Sequence, residues 1–382
     1  MLLRQPVIVI LIATITYNIV MAKIVFTGGG TAGHVMPNIA LIEKLGAHDL
    51  YYIGCPNSME EKLIKNNCPS VKFFAINATK LSRGSFFKNL AIPFKLIASR
   101  ISARKILKEI KPDLIFSKGG YVALPVTMVS GKVPVFLHES DASMGLANRL
   151  ALKKCSKVLT SFSSLADSID GALHVGAPLR SGLYKGNKSV VDKLAGFSSG
   201  GGRKNLLITG GSLGAKAIND AVWESLSELV KRFNIVHIVG KSGLSDECAS
   251  LSGAYKNYYP IEFASNIADY FAWADFCLTR GGANALFELV ALKIPSLVVP
   301  LPKGASRGDQ IDNAKYFKDL GCVEILWQDD MLKESDCGHP RPLDKALADL
   351  VKNSDKLKSS AANLNNIDGR DKILELIKEQ VK

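Results

Sequence analysis

The chain has 382 residues, 47% of them hydrophobic and 22% charged, with a formal net charge of +13. That length suits two domains of ordinary size, and the balance excludes a disordered chain. Seven scattered cysteines with no CxxC pair argue against a disulfide framework or a structural zinc site, while the positive charge asks for an anionic partner: lipid, nucleic acid or a phosphorylated substrate.

In chain order, residues 1–20 form an apolar extension. Arg4 precedes a run from Val7 to Val20 that is short for a membrane span and lacks an evident small-x-small cleavage site. Met21 then reads as an initiator methionine before a buried strand, so a start misassigned upstream is favoured over a membrane tether. Lys23–Thr27 is predicted as a strand running into Gly28-Gly29-Gly30-Thr31-Ala32-Gly33, with a helix from about Asn38 to Leu45. Further strands are predicted at Leu114–Ser117, Val133–His138 and Lys157–Thr160. The pattern restarts at Asn205–Thr209, which runs into Gly210-Gly211-Ser212-Leu213-Gly214 and a helix over Ala217–Val230. Strands at Ile235–Val239, Phe276–Thr279 and Pro295–Pro300 follow. Apolar strands alternating with helices imply βαβ units and parallel sheets. Two such series predict two Rossmann-like α/β domains facing across a cleft. The first spans 21–180 and the second 204–362, with a linker of flexible composition over 181–203. Residues 363–382 are expected to form a closing helix that packs back on the first domain.

Gly28-x-Gly30-x-x-Gly33 matches the dinucleotide fingerprint, but the second strand, Leu50–Gly54, carries no carboxylate at its end to hold a ribose. Nicotinamide-cofactor binding is therefore disfavoured. A further glycine turn, Ser117-Lys118-Gly119-Gly120-Tyr121, places three such loops at the carboxyl ends of parallel strands, where open α/β sheets bind ligands. No GxxxxGK(S/T) loop occurs, which disfavours nucleotide hydrolysis, and no DxD, HxxxH or HExxH suggests a metal. No cofactor and no obligatory metal are expected.

Four segments together carry a family resemblance: Gly29–Pro37, Lys118–Val122, His138-Glu-Ser-Asp141 with Gly145–Asn148, and Gly210–Ala215. In this order they resemble the peptidoglycan glycosyltransferases that make lipid II, a resemblance running from Met21 through Asn313. It implies the GT-B architecture and inverting transfer of GlcNAc from UDP-GlcNAc to the muramoyl 4-hydroxyl of lipid I. Thr31, Ala32, Gly33 and His34 then correspond to the acceptor-side loop. His34 is the candidate base, with acceptor binding as its competing role, because imidazole titrates near neutral pH. Glu139 and Asp141 are the other candidates in that half; Asp141 stands where some members have asparagine. On the donor side, free N–H groups near Ala283 suit diphosphate, and Glu288 corresponds to the family glutamate that binds ribose. Arg180 and Ser212 correspond to residues around the diphosphate, Ala264 to a backbone contact with uracil, and Gln310 to a glutamine that reads sugar hydroxyls. Asn284 and Ala285 depart from a familiar version of the donor loop.

From Lys80 to Lys111 nine cations meet one acid, Glu109, among interleaved apolar residues. Phe86, Phe87 and Leu90 with Lys88 and Lys95 are expected to contact an anionic membrane surface, each cation contributing about 1 kcal/mol. A solvated helix face is the competing reading. Nucleic-acid binding ranks lowest, since no such motif accompanies the charge. A peripheral enzyme on the cytoplasmic face of the cell membrane is expected. The alternatives are another membrane-lipid glycosyltransferase of this fold and a non-catalytic UDP-sugar-binding scaffold.

Overall fold

The computed structural model describes residues 21–79, 92–197, 202–211, 214–241, 243–304, 306–333 and 340–382. The first half builds a parallel sheet from β1 (Lys23–Thr27), β2 (Asp49–Gly54), β3 (Lys72–Ala75), β4 (Leu114–Ser117), β5 (Val135–Glu139), β6 (Lys157–Thr160) and β7 (Ala172–His174), in the order β3-β2-β1-β4-β5-β6-β7. The second half repeats the plan with β8 (Lys204–Thr209), β9 (Phe233–Ile238), β10 (Tyr258–Ile261), β11 (Phe276–Thr279), β12 (Ser296–Val298) and β13 (Val323–Ile325), ordered β10-β9-β8-β11-β12-β13. Helices cover both faces, so the central strands are buried on both sides. That is why β4, β5 and β11 read as continuous buried runs rather than alternating ones. The α/β class and the paired Rossmann-like sheets are as expected.

In each sheet the strand order reverses beside the first strand, between β1 and β4 and between β8 and β11. The crevice at such a reversal is where open α/β sheets take ligands. The glycine turns after β1 and β4 share one crevice; those after β8 and β11 share the other.

Several element ends differ from expectation for local reasons. The strand expected over Pro295–Pro300 is reduced to Ser296–Val298, because neither proline can donate to a ladder. Pro134 likewise delays β5 to Val135. The first helix spans Ala32–Ile42 rather than Asn38–Leu45, with Pro37 inside it.

The stretch expected as a linker, 181–203, is not a free tether where it is described. Leu183, Val191 and Phe197 are buried in one core with Phe271 and Trp273 of the second half, and the Trp273 indole N–H donates to Asp192. The apolar face of helix Lys188–Ala195 outweighs the flanking Gly and Ser. The last helix, Arg370–Gln380, buries Ile373, Leu374 and Ile377 against Ile39, Ile42 and Leu45 of the first half. The chain therefore crosses between the halves twice. The two crossings lie side by side: the Ala177 N–H donates to the Ile367 carbonyl (3.0 Å) and the Gly369 N–H to the Ala177 carbonyl (2.8 Å). Gly176, at φ +84°, leaves no room for a Cβ against the Asn366 carbonyl.

Candidate active site

The crevice of the first half is built from the loops after β1, β2, β4 and β5. After β1, the Thr31 hydroxyl and His34 Nδ1 lie 2.9 Å apart, which fixes the imidazole at the helix start. Beneath this loop, the buried Glu60 bridges two turns by accepting from the Gly30 N–H (3.4 Å) and the Cys55 N–H (3.2 Å). After β4, Gly120 takes φ +81°, and a Cβ there would sit 2.7 Å from the Gly29 carbonyl. The first two glycine turns are thus in van der Waals contact, and only glycine permits it.

After β5, Glu139 is 4% exposed and accepts four hydrogen bonds, from the Ser140 (2.9 Å), Asp141 (3.2 Å) and Gly145 (3.0 Å) N–H groups and from Asn148 Nδ2 (2.8 Å). A carboxylate offers about four lone-pair sites. Glu139 is therefore occupied in shaping its own loop, and its candidacy as a base loses its physical ground.

Lys118, at the end of β4, is 1% exposed and donates to His138 Nδ1 and to Ser140 Oγ, both at 2.5 Å. Burial brings its ammonium down to about 7, against the pull of Glu139 and Asp141. His138 donates from Nε2 to the Gly176 carbonyl (3.1 Å), which leaves Nδ1 as the acceptor; burial and the Lys118 charge hold this imidazole neutral.

The donor-side crevice has the start of helix Ala283–Ala291 at its centre. Glu288 lies on this helix, with its side chain 7% exposed, and Arg180 grips it from the interhalf crossing through Nε–Oε1 (2.5 Å) and Nη2–Oε2 (3.3 Å). Burial raises the Glu288 carboxyl while the guanidinium opposes that shift. Gln310 Oε1 accepts from the Leu301 N–H (3.1 Å), which leaves its amide N–H groups as the donors it can offer elsewhere. Ala264 is buried in the same core as Ala283. Ser212 lies outside the described residues, as do Phe86, Phe87, Lys88 and Leu90.

The halves meet across the cleft. Asn313, fully buried, accepts from the Ala142 N–H (2.7 Å) and donates to Asp141 Oδ1 (3.1 Å) and to the Gly281 carbonyl (3.1 Å). Arg307 spans Asp141 (3.4 Å) and Asp309 (3.0 Å). Burial, then Glu139, pushes the Asp141 carboxyl up to about 6, while Asn313 and Arg307 act in the opposite direction. Asn284 donates to the Gly33 carbonyl (3.0 Å). Asp141 is thus tied to Arg307 and Asn313 of the second half, Arg180 to Glu288, and Gly33, in the loop of Thr31 and His34, to the start of helix Ala283–Ala291. Glu60, Lys118, Asn148 and Arg307 were not singled out as site residues by sequence. Lys118 and Asn148 lie inside segments that carry the resemblance, but pairing of polar groups across a fold is invisible to periodicity.

Residues 24–160 match the glycosyltransferase family 28 N-terminal domain, and residues 205–377 match the family 28 C-terminal domain. The chain is 39% identical over 369 residues to the UDP-N-acetylglucosamine--N-acetylmuramyl-(pentapeptide) pyrophosphoryl-undecaprenol N-acetylglucosamine transferase of Lachnospira eligens, covering 95% of this chain and 100% of that protein. It is 40% identical over 364 residues to the Clostridium tetani protein of the same name, covering 94% and 98%. Its fold matches the crystal structure of Acinetobacter baumannii MurG with a TM-score of 0.73 at 24% identity, covering 94% of this chain and 99% of that one. With both domains matched and identity spread over nearly its whole length, the chain belongs to glycosyltransferase family 28, among the N-acetylmuramyl-(pentapeptide) pyrophosphoryl-undecaprenol N-acetylglucosamine transferases.

Proposed function

We propose that this protein moves GlcNAc from UDP-GlcNAc to the 4-hydroxyl of the muramoyl-pentapeptide of lipid I, with inversion, giving lipid II. The observation that carries this reading is the facing of two crevices. An imidazole oriented by Thr31 stands on one side, and a helix start with a buried Glu288–Arg180 pair stands on the other. The relatives' names supply the substrates.

In the tautomer that donates Nδ1–H to the Thr31 hydroxyl, Nε2 is the basic nitrogen of His34, and this reading gives it the role of general base. It takes the proton of the 4-hydroxyl as that oxygen bonds to C1 of GlcNAc. The C1–O bond to phosphate breaks on the opposite face, and its electron pair leaves with UDP. The N–H groups at the start of helix Ala283–Ala291 and the Arg180 guanidinium stabilise the departing charge. Glu288 spends two lone pairs on Arg180 and keeps two for a ribose diol. Gln310 meets the sugar hydroxyls, Ala264 and Ser212 border the nucleotide, and Asp141 borders the acceptor.

The same reading places the protein peripherally on the cytoplasmic face of the bacterial membrane. No helix among the described residues is long and apolar enough to cross one. Helix Ile92–Ile110 exposes Phe94, Ile97 and Ile101, and beside this ridge Arg100, Arg104, Lys108, Lys111 and Lys154 line a cavity of about 560 Å³ with no acidic side chain. Lys95 is exposed on the same helix. Apolar side chains flanked by cations suit an anionic bilayer interface.

The test is transfer of labelled GlcNAc from UDP-GlcNAc to a lipid I analogue by folded protein lacking residues 1–20. Product with the inverted anomeric centre is expected, and absence of transfer overturns the reading. Co-sedimentation with vesicles containing phosphatidylglycerol, against neutral vesicles, tests the membrane side.

A further inference from the structure

Pro37 lies within helix Ala32–Ile42 and has no N–H. The carbonyl four residues earlier, that of Gly33, therefore receives no intrahelical hydrogen bond. That carbonyl immediately precedes His34. Across the cleft, Asn284 Nδ2 donates to it at 3.0 Å, a contact between residues 251 positions apart. A carbonyl can only accept, so chemistry alone assigns the amide nitrogen to this contact. The fit is close: a Cβ at Gly33 would lie 3.3 Å from the same nitrogen.

Asn284 is the second residue of helix Ala283–Ala291, and Glu288 is one turn further along the same face. One helical face thus carries the carboxylate assigned to ribose and the amide that holds the acceptor loop. We propose that Asn284 is a positioning residue coupling the two substrates: nucleotide at the donor helix start fixes the Asn284–Gly33 contact, and that contact sets the His34 loop for attack. The missing Pro37 N–H makes this possible, because it leaves the Gly33 carbonyl without its i+4 donor and open to the Asn284 amide of the other half. Asparagine is needed here; an aliphatic residue would leave that carbonyl without a protein donor, and aspartate would set like charge against it.

This inference rests on the donor-site reading above, and the experiment separates the two. Hydrogen exchange of the 27–40 segment is followed with and without UDP in wild type, Asn284→Ala and Asn284→Asp, alongside UDP affinity and steady-state transfer. UDP is expected to slow exchange of the 31–36 amides in wild type and not in Asn284→Ala, and by reciprocity UDP affinity should weaken by about the protection factor that is lost. Loss of the one hydrogen bond should lower kcat roughly three- to tenfold. Asn284→Asp should be lower still at pH 8 and recover relative to wild type as the pH falls, when a protonated carboxyl again donates. Unchanged UDP protection and kcat in both variants overturns the proposal. So does a UDP affinity that weakens while UDP still protects the 31–36 amides, which would make Asn284 a donor-site contact alone. If wild type binds no UDP, the donor reading falls and the coupling falls with it.

Discussion

Arg180 and Glu288, 108 positions apart, form a two-point ion pair in which the carboxylate is almost fully buried and the guanidinium is partly open to the cleft. The pair welds the interhalf crossing to the donor helix, so its two members are not equivalent. Removing the arginine strands a buried charge, whereas neutralising the glutamate does not. Arg180→Ala is therefore expected to cost about 1–3 kcal/mol of stability. Glu288→Gln should cost little stability while raising the KM for UDP-GlcNAc at least tenfold. Thermal melts and donor titrations of both variants check this asymmetry.

Asp141 offers a test in pH. Its carboxyl is raised to about 6, above the ordinary unfolded value near 4. Between those values the folded state holds more protons than the unfolded one, so this group's contribution falls as pH rises from about 4 to 6 and stays lost above. Asp141→Asn removes that penalty and keeps an oxygen for Asn313. The variant should gain on the order of 1–3 kcal/mol relative to wild type on going from pH 4.5 to pH 7.5. A pH-independent difference between the two unfolding curves would contradict this.

Contact of the two acceptor-side glycine turns makes Gly120→Ala informative. The substitution is strained at φ +81° and presses on the Gly29 carbonyl. Expected is a loss of about 1–3 kcal/mol with a larger effect on activity, seen as a raised acceptor KM at unchanged UDP affinity.

His34→Ala should retain UDP binding and lose roughly 10²- to 10⁴-fold in kcat, with a small change in acceptor KM, if the imidazole takes the proton. A rise in acceptor KM with kcat preserved would instead assign His34 to binding. Retention of full transfer would remove it from the site.

The parallel strands and the glycine turns were legible because β1, β4 and β8 are apolar runs that end at glycine-rich turns. Element ends set by proline were less so: the first helix starts at Ala32, through a proline that costs one hydrogen bond and not the helix. The course of residues 183–197 was masked by neighbouring Gly and Ser, although Val191 and Phe197 carried the packing signal. Within the site, residues embedded in glycine motifs stood out. Glu60 and Arg307 did not, because what defines them is a partner distant in sequence, and Lys118, though inside a glycine motif, gave no sign of its buried pairing with His138.

The paired crossings at Ala177 and Ile367–Gly369 have a mechanical consequence. One connecting ribbon would act as a tether, letting the halves twist and tilt in any direction. Two ribbons bonded edge to edge restrict that twisting more than one would. Asn284 with Gly33 and Asn313 with Asp141 thus bridge halves whose relative twist is already held at the paired crossings.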